Sequence, residues 1–521
     1  MTSSVTDPRA ARRELLRRRR QQAGSAPAAV ESPGKTHGST NVVSAGLGVA
    51  ERRMWRIHRL DTASVSHTIT LVLSCRGVTA EQLVEGVEAT VRGAEVLGSV
   101  IVDDDRNNDD NAAAGTPRRV PREASGQWIV PGTRWGLGVS GPGTVAGAGT
   151  VAGASATESD GGTAAEVAAH LARTPFDLTA ELPIRAWVDG STLVLSVHHL
   201  AVDDTSWPLL LGAILAGRWP GPQPDTPAGP ALAAGPSGAA DPAGAAGLVA
   251  EASPERVARA VEHARRTWAA EGVRYPLTGQ LPDSTPEDSW LAPVDEAPGA
   301  QLRRDLDPTD LAAFAAFAPT VGGTPNAALV ALCAVSTAVL TGADDLVIVV
   351  PADNRRPGQS PDRVGYCGNI IPIRFTFDRT GSTEQAMRDA VAAIYAAMEF
   401  TDVDFGPILT ALRSSGGRFP VTEVMASVRP SPMRHIETPP GVDVNYRSVS
   451  SGIAPYPVTL AIELAGPNRA HLEVDYQHGT GDAVAERAAD VVSDLLHRIP
   501  TDGQQPLSSL IDALTHPRFR Q

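Results

Sequence analysis

Residues 191–207 read STLVLSVHHLAVDDTSW, an apolar run that ends on two histidines and two aspartates. The run is short and rich in Val and Leu, which predicts a buried strand. The segment LLLGAILAG that follows Trp207-Pro208 predicts a helix. Polar residues thus gather where a strand ends and a helix begins. Neighbouring strand residues point to opposite faces, so His198 and His199 cannot both present their rings to one pocket. One is expected to face a substrate while the other packs. The same divergence argues against a zinc ion held by the two rings and Asp203, and no metal is expected.

Strands and helices alternate outward from this point. HTITLVLSC, residues 67–75, alternates as a strand, and TAEQLVEGVEATVRGAE, residues 79–95, carries Leu83, Val84, Val87 and Val91 on a helical stripe. Ser253-Pro254-Glu255 supplies a cap, a first-turn proline and a first-turn acid to a helix that stops at Gly272. Thr324-Pro325 repeats the device before NAALVALCAVSTAVLTG, a nearly all-apolar helix stopped by Gly342, which must be buried. DLVIVVPAD, VTEVMASVRP and HLEVDYQ read as strands, and AVAERAADVVSDLLHRI as a final helix.

The whole chain sets the frame. A length of 521 residues implies more than one packing unit, and two lobes are expected. Residues 1–40 are polar, Arg-rich at 9–20 and poor in large apolar side chains, so a disordered basic tail is expected there. A first lobe is expected over 41–219, a Pro/Gly/Ala-rich linker over 220–252 and a second lobe over 253–521. Within the first lobe, residues 103–125 and 138–162 have the composition of surface insertions.

A formal charge of −14 argues against nucleic acid as a partner, because phosphate binding needs clustered positive charge. Cys75, Cys333 and Cys367 lie far apart with no metal-ligand spacing, which fits a reduced, cytoplasmic setting. No run approaches the roughly 18 apolar residues of a membrane span, and the first residues lack the apolar region of a signal peptide. No membrane association is expected.

Taken alone, a histidine pair at a strand end is more often a satisfied structural element than a catalyst. Further segments carry more weight. His198-His199-Leu200-Ala201-Val202-Asp203 resembles the HHxxxDG motif of the condensation domains of nonribosomal peptide synthesis. PFDL at 175–178, with Pro183 and Arg185, is similar to the FDL-x-P-x-R segment upstream of that motif. Residues 364–374, VGYCGNIIPIR, resemble the later VG-x-F-x-N-x-x-P-x-R motif, and residues 44–55, SAGLGVAERRMW, loosely match the opening one. The matching pieces come in the family's order from about residue 44 to about 499.

That resemblance implies an α/β (α+β) fold of two chloramphenicol-acetyltransferase-like lobes, arranged as a V-shaped pseudo-dimer with a central tunnel. It implies a free-standing condensation enzyme that moves an acyl or aminoacyl group from a carrier-protein phosphopantetheine thioester to an amine or alcohol. The partner is then an acyl- or peptidyl-carrier protein, which brings the phosphopantetheine arm, with no permanently bound cofactor. His199 is expected as general base, since imidazole titrates near neutral pH, with His198 orienting. Asp203 is expected to hold the loop through an ion pair with Arg185. Asp204, Ser206, Trp207 and Asn369 are expected to touch or tune the substrate, and Arg374 to support the lobe junction.

One departure bears on activity, because Asp204 stands where the family has glycine. A carboxylate beside the site favours a charged imidazole and opposes a growing oxyanion unless it points away. It can instead recognise a cationic acceptor. A second reading also stays open, in which the chain is a catalytically inactive, condensation-like module that binds carrier proteins or recruits tailoring enzymes. Related inactive domains carry two acids at this place, but they resemble HRxxxD, whereas His199 is retained here.

Overall fold

In a computed structural model the described residues are 46–102, 117–122, 160–219, 252–270, 273–278, 297–355, 364–414, 423–434, 436 and 438–519. The expected tail, the two insertions and the linker lie wholly or largely outside them. The first half runs α1 (Val49–Leu60), β1 (Thr68–Arg76), α2 (Ala80–Gly93), β2 (Ser99–Val102), β3 (Arg118–Pro121), α3 (Asp160–Ala172), β4 (Ile184–Asp189), β5 (Thr192–His198) and α4 (Ser206–Leu215). The histidine strand β5 is central, between β1 and β4. Its Leu193, Val194, Leu195 and Val197 are all buried because α2 and α4 cover one face of the sheet and α3 packs on the other.

The second half continues with α5 (Pro254–Arg266), β6 (Ala297–Asp305), α6 (Pro308–Phe317), α7 (Pro325–Thr341), β7 (Asp345–Asp353), β8 (Gly368–Thr376), α8 (Thr383–Met398), α9 (Phe405–Ser414) and β9 (Val424–Pro430). It ends with β10 (Asp443–Val449), β11 (Ile453–Ala454), β12 (Val458–Gly466), β13 (Arg469–Gln477), α10 (Asp482–Asp502) and α11 (Leu507–Leu514). Seven strands form its sheet in the order β11-β6-β13-β12-β9-β7-β8. The caps read from sequence act as expected, with the Ser253 and Thr324 side chains accepting from the amides of Arg256 and Ala327. Gly342 ends α7 at φ 74°, a conformation open to glycine at no steric cost. Every residue from Ala327 to Thr341 is buried, in the core shared by α7, α8, α10 and the sheet.

The sheet of the first half takes its edge strand from the second half. β10 pairs antiparallel with β1, from Thr70↔Val449 to Arg76↔Asp443, so the chain crosses back after β9 and returns for β12. The two sheets are therefore joined by main chain as well as by side chains. Among the described residues no single helix is long and apolar enough to cross a membrane.

Close packing of α2 on α4 depends on Gly86, where an added Cβ would lie 2.0 Å from the carbonyl oxygen of Ile214. Alanine gains less than about 1 kcal/mol of helix propensity over glycine, and the overlap outweighs it. Gly86→Ala is expected to lower stability by roughly 1–3 kcal/mol in urea unfolding, and unchanged stability would remove this account of the helix pair.

Candidate active site

The strand β5 stops at His198, and His199–Ala201 make one 3-10 turn before the loop that enters α4. The two rings diverge, as expected, though a change of backbone at His199 separates them rather than strand alternation alone. His198 is 3% exposed and its Nδ1 accepts the amide of Leu200 at 3.1 Å. Its ring lies among those of His58, Phe176 and His67, with centroids 5.1, 5.9 and 6.2 Å away. Burial holds its pKa well below the ordinary range, and His67 and His58 add to the effect. It is a neutral packing residue that orients the turn.

His199 is half-buried, and its amide donates to the carbonyl of His67 at 2.8 Å. Nδ1 stands 2.8 Å from the carbonyl oxygen of Val202. A carbonyl only accepts, so Nδ1 carries the proton and Nε2 keeps its lone pair. Among the described residues Nε2 has no hydrogen-bond partner. The ring meets the edge of Tyr366 at 5.1 Å, which fixes its plane. This arrangement suits a proton acceptor held in one tautomer.

Asp203 caps α4, its Oδ1 accepting from the Ser206 amide at 2.9 Å and the Ser206 hydroxyl at 2.8 Å. The expected ion pair with Arg185 is not formed. Asp203 pairs instead with Arg355, just past β7, through Nη2 at 2.8 and 2.9 Å, and accepts the Cys367 amide at 3.1 Å. Arg185 pairs with Glu181 at 2.7 Å, donates to the carbonyls of Thr174 and Pro175 at 2.8 and 2.7 Å, and stacks on Phe176. Glu181 and Arg185 are four positions apart, so the local partner fixes the PFDL turn, while Arg355 ties the histidine loop to the other half of the molecule.

Three more expectations are corrected. Ser206 is fully buried and belongs to the same lock, its hydroxyl also accepting the Gly365 amide at 3.1 Å. Trp207 is 3% exposed in the core beneath the first sheet, where large apolar area is worth most. Asn369 donates to the carbonyls of Thr401 and Val403 at 3.0 and 2.8 Å and accepts the Phe405 amide at 3.1 Å, so its polar atoms are used in holding the loop before α9. Arg374 does support structure, but within the second half, where it pairs with Asp345 at 2.5 Å across the β7–β8 edge.

Asp204, next in the loop, is exposed. Loss of solvent pushes its carboxyl above the usual carboxylate range, while Arg429 and His199 pull the other way. Among the described residues it makes no hydrogen bond and no ion pair. Sequence reasoning missed a charged wall in the second half. Arg429, Glu463 and His471 are cross-strand partners on β9, β12 and β13, and Arg303 lies opposite Glu473 on β6 and β13, so these residues share one sheet face. The opposite face carries Leu460, Ile462, Leu472 and Val474 into the core.

This charged face is itself buried, with Glu463 2% and Glu473 0% exposed. Glu473 binds Arg429 and, at 3.1 Å, Arg303. Glu463 accepts from the Tyr446 hydroxyl and lies 3.0 Å from His471 Nε2. Burial alone would raise the Glu463 carboxyl, but His471, Tyr446 and Arg429 together hold it below its ordinary range. Glu463, His471 and Glu473 place one ligand atom each within 4.8 Å of one another, a spacing that can suit a metal. Arg303 Nη2, 2.7 Å from His471 Nε2, and Arg429 already bring positive charge to these groups. The alternation of HLEVDYQ carried the signal, because acids on a strand of a covered sheet must face something other than core.

With this geometry in view, comparisons place the chain among known folds. The first condensation domain of the calcium-dependent antibiotic synthetase, in complex with a substrate analogue, superposes with a TM-score of 0.60 at 16% identity, over 90% of this chain and 99% of that one. The chain has the condensation-domain fold. An X-domain from teicoplanin biosynthesis, solved in complex with OxyB, has the same fold at TM-score 0.60 and 17% identity, over 92% of this chain and 99% of that one. In sequence, the condensation-domain fold here is 24% identical over 397 residues to an isonitrile lipopeptide synthase of Mycobacterium tuberculosis. That match covers 74% of this chain but only 14% of the synthase. No family model matches the chain.

Two outcomes test this description. Asp203→Ala is expected to cost roughly 3–5 kcal/mol, because the Arg355 guanidinium is left buried without its partner. A double-mutant cycle by denaturant unfolding should show strong coupling of Asp203 to Arg355 and little to Arg185; the reverse would restore the pairing expected from sequence.

Acid should also loosen the site. Burial lowers the pKa of His58, His67 and His198 below the ordinary 6.5, that of His67 to about 3. The unfolded chain then takes up protons first, so the contribution is full above 6.5 and is lost as pH falls below it. The thermal midpoint should fall between about pH 7 and pH 5, and His67→Gln should shrink that fall.

Proposed function

We propose that the chain is a condensation enzyme that transfers an acyl or aminoacyl group from the phosphopantetheine thioester of a carrier protein to an amine or alcohol. The observation that carries this reading is His199, with Nδ1 bound to the Val202 carbonyl and Nε2 unengaged among the described residues. The fold shared with condensation domains supports it, as does the sequence match to a lipopeptide synthase.

In this mechanism Nε2 positions the acceptor and takes its proton as nitrogen or oxygen attacks the thioester carbonyl. The new C–N or C–O bond forms, the C–S bond breaks, and the proton passes from the imidazolium to the departing thiolate, which leaves as the thiol. No group need stay bound between turnovers, since the carrier protein brings the phosphopantetheine arm. Asp203, Arg355 and Ser206 serve by holding the turn, and His198 by packing beneath it. The acceptor is a free small molecule or is itself carrier-bound.

A second reading is favoured by the acid pair Asp203-Asp204 and by the likeness to the X-domain bound to OxyB. Here the chain binds carrier proteins or recruits another enzyme without catalysis. Transfer from an acyl-carrier thioester separates the two. His199→Ala is expected to lower turnover by about 10²- to 10⁴-fold without loss of fold. Turnover equal to wild type would leave the recruitment reading in its place.

A further inference from the structure

The hydrogen bond that holds the His199 ring is made at one atom, where Nδ1 meets the Val202 carbonyl. A ring tied at one point can still turn about its Cβ–Cγ bond, because that torsion in histidine is broad and roughly two-fold. A half-turn breaks the bond to Val202 and swings Nε2 away from where it pointed. Asp203, Ser206 and Arg355 do not prevent it, since they bond to one another and to residues 365–367 and so hold the turn rather than the imidazole. A directed Nε2 needs a second contact on the ring.

Tyr366 makes that contact. Its ring centroid lies 5.1 Å from that of His199 with the two planes at 76°, an edge-to-face pair. The tyrosine is 6% exposed, and the backbone on both sides of it is fixed. The Gly365 amide donates to the Ser206 hydroxyl and the Cys367 amide to Asp203, each at 3.1 Å. The Cys367 carbonyl accepts the Asn354 amide at 3.1 Å, and the Gly368 carbonyl accepts Arg53 Nη2 at 2.7 Å. Arg53 is itself held by Asp404 at 3.0 Å, and its guanidinium carbon stands 6.0 Å from the Tyr366 ring centre. The phenol ring rests on Gly368, where an added Cβ would come within 2.8 Å of Cε2 and 2.9 Å of Cζ and the hydroxyl. Gly368 is not one of the glycines with positive φ, so what it provides is space rather than backbone freedom.

We propose that Tyr366 and Gly368 are positioning residues for the His199 imidazole: the phenol ring, seated on the bare Cα of Gly368, blocks the half-turn and keeps Nε2 directed at the acceptor. This deepens the transferase reading, on which the need for a directed Nε2 rests. Neither residue touches the reacting atoms. Both act through the imidazole, and both lie in the second half of the chain, so the base carried by the first half is oriented by a ring that the second half brings to it.

The test is the imidazole nitrogen magnetic-resonance spectrum of the full chain, isotope-labelled at histidine, with His199 assigned by its loss in His199→Gln. At alkaline pH the wild type is expected to show two well-separated His199 signals, one from the nitrogen that carries the proton and one from the nitrogen that does not. Gly368→Ala pushes the phenol ring aside and Tyr366→Ala removes it, and both should draw the two signals toward a common average. Tyr366→Leu, which keeps much of the volume without a flat ring, should do the same and serves where the alanine variant fails to fold. Tyr366→Phe, which keeps the ring, should hold the signals apart. In transfer from an acyl-carrier thioester, Gly368→Ala and Tyr366→Leu should lower kcat by about tenfold or more with little change in KM for the carrier, and Tyr366→Phe should recover most of that loss. Signals that stay apart in Gly368→Ala and Tyr366→Leu, signals already averaged in the wild type, or an undiminished kcat in an active chain overturn the proposal. A chain whose His199 signals respond as expected but which never moves an acyl group from a carrier retains the positioning contact and loses the transferase.

Discussion

The ion pair between Asp203 and Arg355 is the constraint on which the rest of the site depends. It is almost fully enclosed, with side chains about a tenth exposed, and it is backed by the Cys367 amide and the Ser206 hydroxyl. One partner caps the helix after the histidines and the other follows β7 of the second sheet. Removing either leaves a charge in a place where water cannot reach it well. The pair therefore does two jobs with one contact: it shapes the turn that presents His199, and it fixes the distance between the two sheets across which the site is built.

Once the turn is fixed, the roles of the neighbouring histidines follow from their surroundings. His198 is surrounded by aromatic rings and cannot hold a proton cheaply, so it stays neutral and spends Nδ1 on the backbone. His199 leaves the strand, gives Nδ1 to a carbonyl and keeps Nε2 unengaged. The same residue type, one position apart, becomes packing in one case and a candidate base in the other. The difference lies in which backbone atoms each ring can reach.

The wall opposite is built on a different principle. A sheet needs only one apolar face to anchor its helices, and β12 and β13 use theirs fully against α7 and α10. The other face is left to charged residues that are buried by the approach of the first half, including Tyr446 on β10, which has crossed into the first sheet. Burying such groups is unfavourable unless they satisfy one another, and most do, through Arg303, Arg429 and His471.

By itself the sequence determined the local grammar: the strand before the histidines, the capped helices at Ser253 and Thr324, the buried helix that ends at Gly342, and the motifs that resemble a known family. These rest on neighbours within a turn or a strand, where spacing alone sets contact. Tertiary structure alone decided which arginine answers Asp203, since Arg185 and Arg355 are equally charged and the choice depends on which lobe closes over the loop. It also decided that Asn369 and Trp207 serve packing and loop closure, and that alternating acids on β13 meet Arg303, Arg429 and Gln301. Those outcomes join residues well beyond a turn or a strand, 152 positions for Asp203 and Arg355, and local periodicity carries no information about what a strand's second face will meet.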